Sequence, residues 1–161
     1  MYLFLKYFVV LSPFFYTAIS FITGRSRQYA EHYLYGGTAA LSALHLMASI
    51  ILIIIGVDNG SNFNYDHTLM IISPKFFYLD STGILFITLT SLITMFVIID
   101  AFNTIHTSRS SYISLVFAMQ LILNMFFVSQ HLIAFYIFFE ASLIPIFFII
   151  YYWGGNDRVD A

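Results

Sequence analysis

Five nearly charge-free runs of about 20 residues succeed one another along this chain, and they limit what it can fold into more than any other feature. At 1.5 Å of rise per residue, such a run crosses the hydrocarbon core of a bilayer, about 30 Å, as a helix. The runs cover residues 2–23, 37–56, 82–102, 112–129 and 131–153, with one sizeable extramembrane connection over 57–81. The expected fold is an all-α membrane protein of five transmembrane helices, a single membrane domain over 1–161. The first run lacks the basic start and small-residue cleavage site of a signal peptide and is long enough to remain as a span.

Composition agrees. With 60% hydrophobic residues, 9% charged residues and a mean hydropathy of +0.88, the chain has too little polar surface to cover a water-soluble globule. A net charge of -2 offers no basic stripe for nucleic-acid phosphates. The absence of cysteine excludes disulfides, thiolate metal sites and iron–sulfur ligation. A bis-histidine haem needs two histidines at matching depth. His45 is central in its span and His131 lies at an interface, whereas His32, His67 and His106 fall in loops. No phosphate loop, GxSxG, HExxH or CxxC occurs. No cofactor is therefore expected on this chain.

With alternating spans, Arg25, Arg27, Arg109 and Arg158 share one side, which the positive-inside bias assigns to the cytoplasm or matrix; Lys75 lies opposite. Lys6 is expected to snorkel from the first span, and Asp80 and Asp100 to be solvated ends of the third. Gly36, Ala40 and Ala43 fall at helical spacing, which would let the second span approach another helix closely.

One residue resists this description. In 135-FYIFFEASLIPIFFIIYYWGG-155 a lone carboxylate, Glu140, stands near the middle of the most apolar run. An acidic group at that depth costs about 2.5–3.5 kcal/mol on insertion scales, so it should face other helices or a hydrated cavity, where it can take up and release a proton. The bland alternative is a permanently neutral acid bonded to a neighbouring helix. Pro145 cannot donate to the carbonyl of Ala141 and so frees an acceptor beside Glu140, although an ordinary kink reads equally well. His45 suits a proton relay or a plain interhelical hydrogen bond. Gln120 and Asn124, four apart on one face of the fourth helix, suit a hydrated route or, by default, interhelical bonding.

The stretch 133-IAFYIFFEASLIPIFFIIYYWGGNDRVDA-161 resembles the fifth transmembrane helix of subunit 4 of NADH:ubiquinone oxidoreductase, respiratory complex I, in its FFE, small residue, LIP and closing WG. Residues 112-YISLVFAMQLILNMFFVSQHLIAFY-136 are similar to that family's fourth helix running into the fifth, and 75-KFFYLDSTGILFITLT-90 to its entry to the third. The first 60 residues agree in hydropathy alone. The resemblance implies an antiporter-like, proton-translocating membrane subunit of the mitochondrial inner membrane. In it Glu140 would be the acid of a glutamate–lysine relay, with His45, Gln120, Asn124 and Pro145 in support. It also implies that flavin, iron–sulfur clusters and quinone belong to other subunits. The family has fourteen helices, with the partner lysine on the seventh. The chain therefore reads as the N-terminal portion of a split subunit, its remaining helices and lysines carried by a separate polypeptide and its surface covered by other membrane subunits and lipid. Two alternatives are a structural or assembly subunit without proton transfer, and a subunit of a related cation/proton antiporter.

Overall fold

The computed structural model describes residues 2–23, 30–58, 77, 79–105 and 108–154. Five helices account for nearly all of them: α1 (Tyr2–Thr23), α2 (Ala30–Asp58), α3 (Ser81–Thr104), α4 (Arg109–Val128) and α5 (Leu132–Trp153). Each contains a stretch long and apolar enough to cross a membrane. The all-α, five-span expectation holds, and among the described residues the only β feature is one isolated bridge, Phe77 with Ser129.

Two boundaries differ in an instructive way. Helix α2 starts at Ala30, earlier than its apolar stretch Gly36–Ile55, so His32 lies in a helix and not in a loop. Ala30, Glu31 and Leu34 are good helix formers, and a helix need not stop where the hydrocarbon does. Helix α3 starts at Ser81 because Asp80 caps it: Gly83 N donates to Asp80 Oδ1 at 2.6 Å and Ile84 N to the Asp80 carbonyl at 3.0 Å. Asp80 is thus an N-cap, half-buried, and more than a solvated end. Asp100 is exposed, as expected, and accepts from Thr104 Oγ1. Most of the 57–81 connection and the residues Arg25, Arg27, His67, Lys75, His106 and Arg158 lie outside the described residues.

Helix α4 is central, packing against α1, α3 and α5, while α2 packs against α1 and α3. Contacts at the helix ends fix the alternation. The Ser110 hydroxyl at the start of α4 donates to the Ser20 carbonyl near the end of α1, and Tyr112 meets Trp153 at the end of α5, ring centroids 5.4 Å apart. At the opposite side, the Phe77–Ser129 bridge ties the entry of α3 to the α4–α5 junction.

The apolar core comes in two pieces. One joins Val9, Val10, Ala48, Leu52, Leu79, Ile84, Ile87 and Val128; the other joins Tyr16, Ile98, Ile113, Val116 and Phe117. Along α1, α3 and α4 the residues between the two pieces are the middle turns of the spans. They carry buried Ser12, Thr90, Ser91, Thr94, Gln120 and Asn124, with His45 and Ser49 beside them on α2. A polar layer thus crosses the bundle at mid-depth, flanked by apolar packing on both sides.

Candidate functional site: Glu140 and the mid-membrane polar layer

In a helix that gives every polar backbone group a partner, a proline removes one donor four residues ahead of the acceptor it leaves behind. Pro13 lies inside α1, so the Val9 carbonyl loses its helical donor. Asn124 of α4 supplies the replacement, its Nδ2 donating to Val9 O at 3.2 Å. One turn along α1, Ser12 Oγ lies 2.8 Å from Nδ1 of His45 on α2. A further turn on, Tyr16 packs between the His45 ring, with centroids 6.3 Å apart, and the Phe117 ring of α4, 5.5 Å apart. Val9, Ser12 and Tyr16 share one face of α1. That face holds an α2 histidine on one side and the α4 amides on the other.

These side chains are closed off from any solvent: His45 and Asn124 are 0% exposed and Gln120 is 2%. Several of their polar atoms nevertheless have no partner among the described residues, namely His45 Nε2, Asn124 Oδ1 and Gln120 Oε1. A buried acceptor left unpaired costs about 1–3 kcal/mol, so three of them together are a substantial charge against a fold of ordinary stability. The α3 hydroxyls behave differently. Thr90, Ser91 and Thr94 each bond the carbonyl four residues back, at 2.6, 2.7 and 2.8 Å, and so are satisfied within their own helix. Thr90, Thr94 and Gln120 also line a largely apolar cleft of about 490 Å³ bounded by α3, α4 and α5.

Glu140 is placed elsewhere. It sits eight residues beyond Leu132, the first residue of α5, as Gln120 sits eight before Val128, the last of α4. Both are therefore about 12 Å from the α4–α5 junction along antiparallel neighbours, at one depth. Gln120 faces inward, while Glu140 lies on the exposed side of α5. Only Ser142 and Pro145 of α5 are buried. Phe135, Tyr136, Phe139, Leu143, Ile144 and Phe147 all remain exposed around the carboxylate. Tyr136, one turn earlier, shares this exposed face with Glu140. Next to it, Ser142 Oγ donates to Phe139 O at 2.7 Å, so the polar groups around Pro145 are arranged along the inner edge of the same turn.

The structure therefore divides the residues singled out in the sequence into two places. His45, Gln120 and Asn124 belong to the interior of α1, α2 and α4, and Glu140 belongs to an uncovered face of α5, with Pro145 buried behind it. Lys6, expected to snorkel, is 6% exposed and packed within the bundle; one turn on, Val9 and Val10 belong to the first apolar cluster. Gly36 and Ala40 face outward while Ala43 is half-buried, and among the described residues nothing lies within 4 Å of a Cβ placed on Gly36. Sequence reasoning missed Pro13 and Tyr136. The signals were present, a proline within the first span and a tyrosine four residues before the lone acid, but neither has meaning until the facing helix or the face itself is known.

No family model matches the chain. Among curated proteins it is similar to NADH-quinone oxidoreductase subunit M of Rickettsia conorii, 38% identical over 82 residues, which are 51% of this chain and 17% of that protein. Subunit M of Rhodobacter capsulatus is 37% identical over 82 residues, 51% of this chain and 16% of that protein. NADH-ubiquinone oxidoreductase chain 4 of Chondrus crispus is 30% identical over 123 residues, 73% of this chain and 25% of that protein. The matched part of this chain thus spans about a sixth to a quarter of the length of these relatives. Homologues carrying these two names cover half to three quarters of a five-span helical chain, which places it in the family of antiporter-like membrane subunits of complex I.

Proposed function

We propose that this chain works as part of subunit 4 of respiratory complex I, the proton-translocating NADH:ubiquinone oxidoreductase of the mitochondrial inner membrane, and that Glu140 is the proton-exchanging acid it contributes. The observation that carries this reading is a carboxylate at mid-depth on an exposed helix face. Lipid is a poor neighbour for such a group, and a cationic helix is a good one. The proposed partner is a lysine on a helix of the same subunit that lies outside these 161 residues. With the ammonium close, the ionised carboxylate is favoured; with it withdrawn, the acid takes up a proton. Tyr136, one turn earlier on the same face, is placed to donate to the carboxyl group in either state. The driving energy comes from quinone reduction on other subunits, which in this reading carry the flavin and iron–sulfur clusters, so electron transfer does not pass through this chain. The remaining apolar surface of α5 and α3 meets neighbouring membrane subunits and lipid.

Isolation of the chain in mild detergent, with sequencing of everything that stays bound, tests the assembly. The expected result is a large NADH-oxidising complex containing further membrane spans with central lysines. Recovery of the chain in a complex lacking any such span removes the ion-pair mechanism.

A further inference from the structure

We propose that the interior of α1, α2 and α4 is an internal water-binding site, with His45, Asn124 and Gln120 as its side-chain ligands. The inference goes beyond the proposed role of Glu140 and does not depend on it. It rests on three fully buried polar atoms without protein partners, His45 Nε2, Asn124 Oδ1 and Gln120 Oε1. Each belongs to a side chain that other contacts hold in place or bury completely. Ser12 fixes the His45 ring through Nδ1, the Val9 carbonyl fixes the Asn124 amide, and Gln120, one turn from Asn124, is enclosed on the same face of α4.

The identity of the ligand follows from access and chemistry. The His45 and Asn124 atoms are covered by this chain's own helices, and Gln120 Oε1 is buried at the wall of the α3–α4–α5 cleft, so a partner subunit docking from outside does not reach the first two. A partner small enough to lie within the bundle is required. Two of the three atoms are amide oxygens, which need donors, and the imidazole nitrogen is a donor or an acceptor according to its tautomer. Water alone meets all of these requirements: it donates to the amide oxygens and either donates to or accepts from the imidazole, in the manner of buried waters that serve otherwise unsatisfied groups. The apolar clusters above and below the polar layer confine that water to mid-depth. The chain then has a hydrated site at the depth of Glu140 but on the inner side of α4.

Electron cryomicroscopy of the intact membrane assembly, at a resolution that reveals ordered water, tests this directly. Density is expected at hydrogen-bond distance, about 2.7–3.2 Å, from His45 Nε2 and from at least one of the two amide oxygens. A site without such density, or one in which these atoms are bonded to side chains instead, overturns the proposal. A second measurement is the thermal midpoint of the assembled complex carrying Gln120→Met, a change that keeps length and removes the acceptor. In a wet site the water loses a ligand and the midpoint falls; in a dry site an unpaired acceptor disappears and the midpoint stays or rises. A midpoint that stays or rises also counts against the proposal. If the variant does not assemble, the density map alone decides.

Discussion

Replacing Glu140 by Gln is expected to lower the number of protons moved per electron pair while leaving the complex assembled. Glutamine keeps the size of the side chain and its capacity to accept a hydrogen bond, so the outward face of α5 retains its shape. What is lost is the ability to change charge. Removal of a positioned proton-transfer group commonly slows the transfer by about a hundredfold or more, so movement through this site should become negligible on the time scale of turnover. The measurement is proton uptake against NADH oxidation in sealed vesicles containing the variant complex. An unchanged ratio with normal assembly would mean that Glu140 is a neutral, structural acid, and that the chain seals and braces the complex without moving protons.

The second large effect is expected at Gly83, where the reason is steric. A Cβ on this residue would lie 2.8 Å from Asp80 Oδ1 and 3.0 Å from the Phe127 carbonyl. The first atom is the cap of α3 and the second is backbone of α4, so neither can move without disturbing a helix end. Gly83→Ala should therefore cost both the overpacking penalty, about 1–3 kcal/mol, and part or all of the cap, about 0.5–2 kcal/mol. Asp80→Ala loses the cap but keeps the close approach of α3 to α4, and should cost only the smaller amount. The yield and thermal midpoint of assembled complex should thus fall in the order wild type, Asp80→Ala, Gly83→Ala. Equal behaviour of the two variants would show that the cap and not the contact with α4 holds this junction.

How much of this was legible beforehand depends on the range of the interaction. The five helices follow from local hydropathy, and Glu140 follows from a single charge in an apolar run, because lipid makes both readings nearly independent of what packs where. The polar layer was only partly legible. His45, Gln120 and Asn124 announce themselves as polar residues in spans, but that Asn124 caps the carbonyl freed by Pro13 is a pairing of residues 115 positions apart. Hydropathy has no access to that distance. Lys6 misled for the same reason: near a chain end it reads as a snorkelling residue, and only the packing around α1 buries it. The small residues Gly36 and Ala40 have the spacing for a close helix contact, and no described helix of this chain makes it. Their outward position, like that of Glu140, is understandable if the surfaces they occupy belong to contacts with other chains.

The central claim, that a lysine-bearing membrane helix covers the Glu140 face, is most directly tested by a photoreactive residue at Leu143, three positions from Glu140 and 55% exposed. A matching probe at Phe96, exposed on α3, serves as the comparison. Irradiation of the native membrane should join Leu143 to a membrane span that carries a lysine near its centre. Adducts to lipid alone at Leu143, as at a lipid-facing position, would contradict the account.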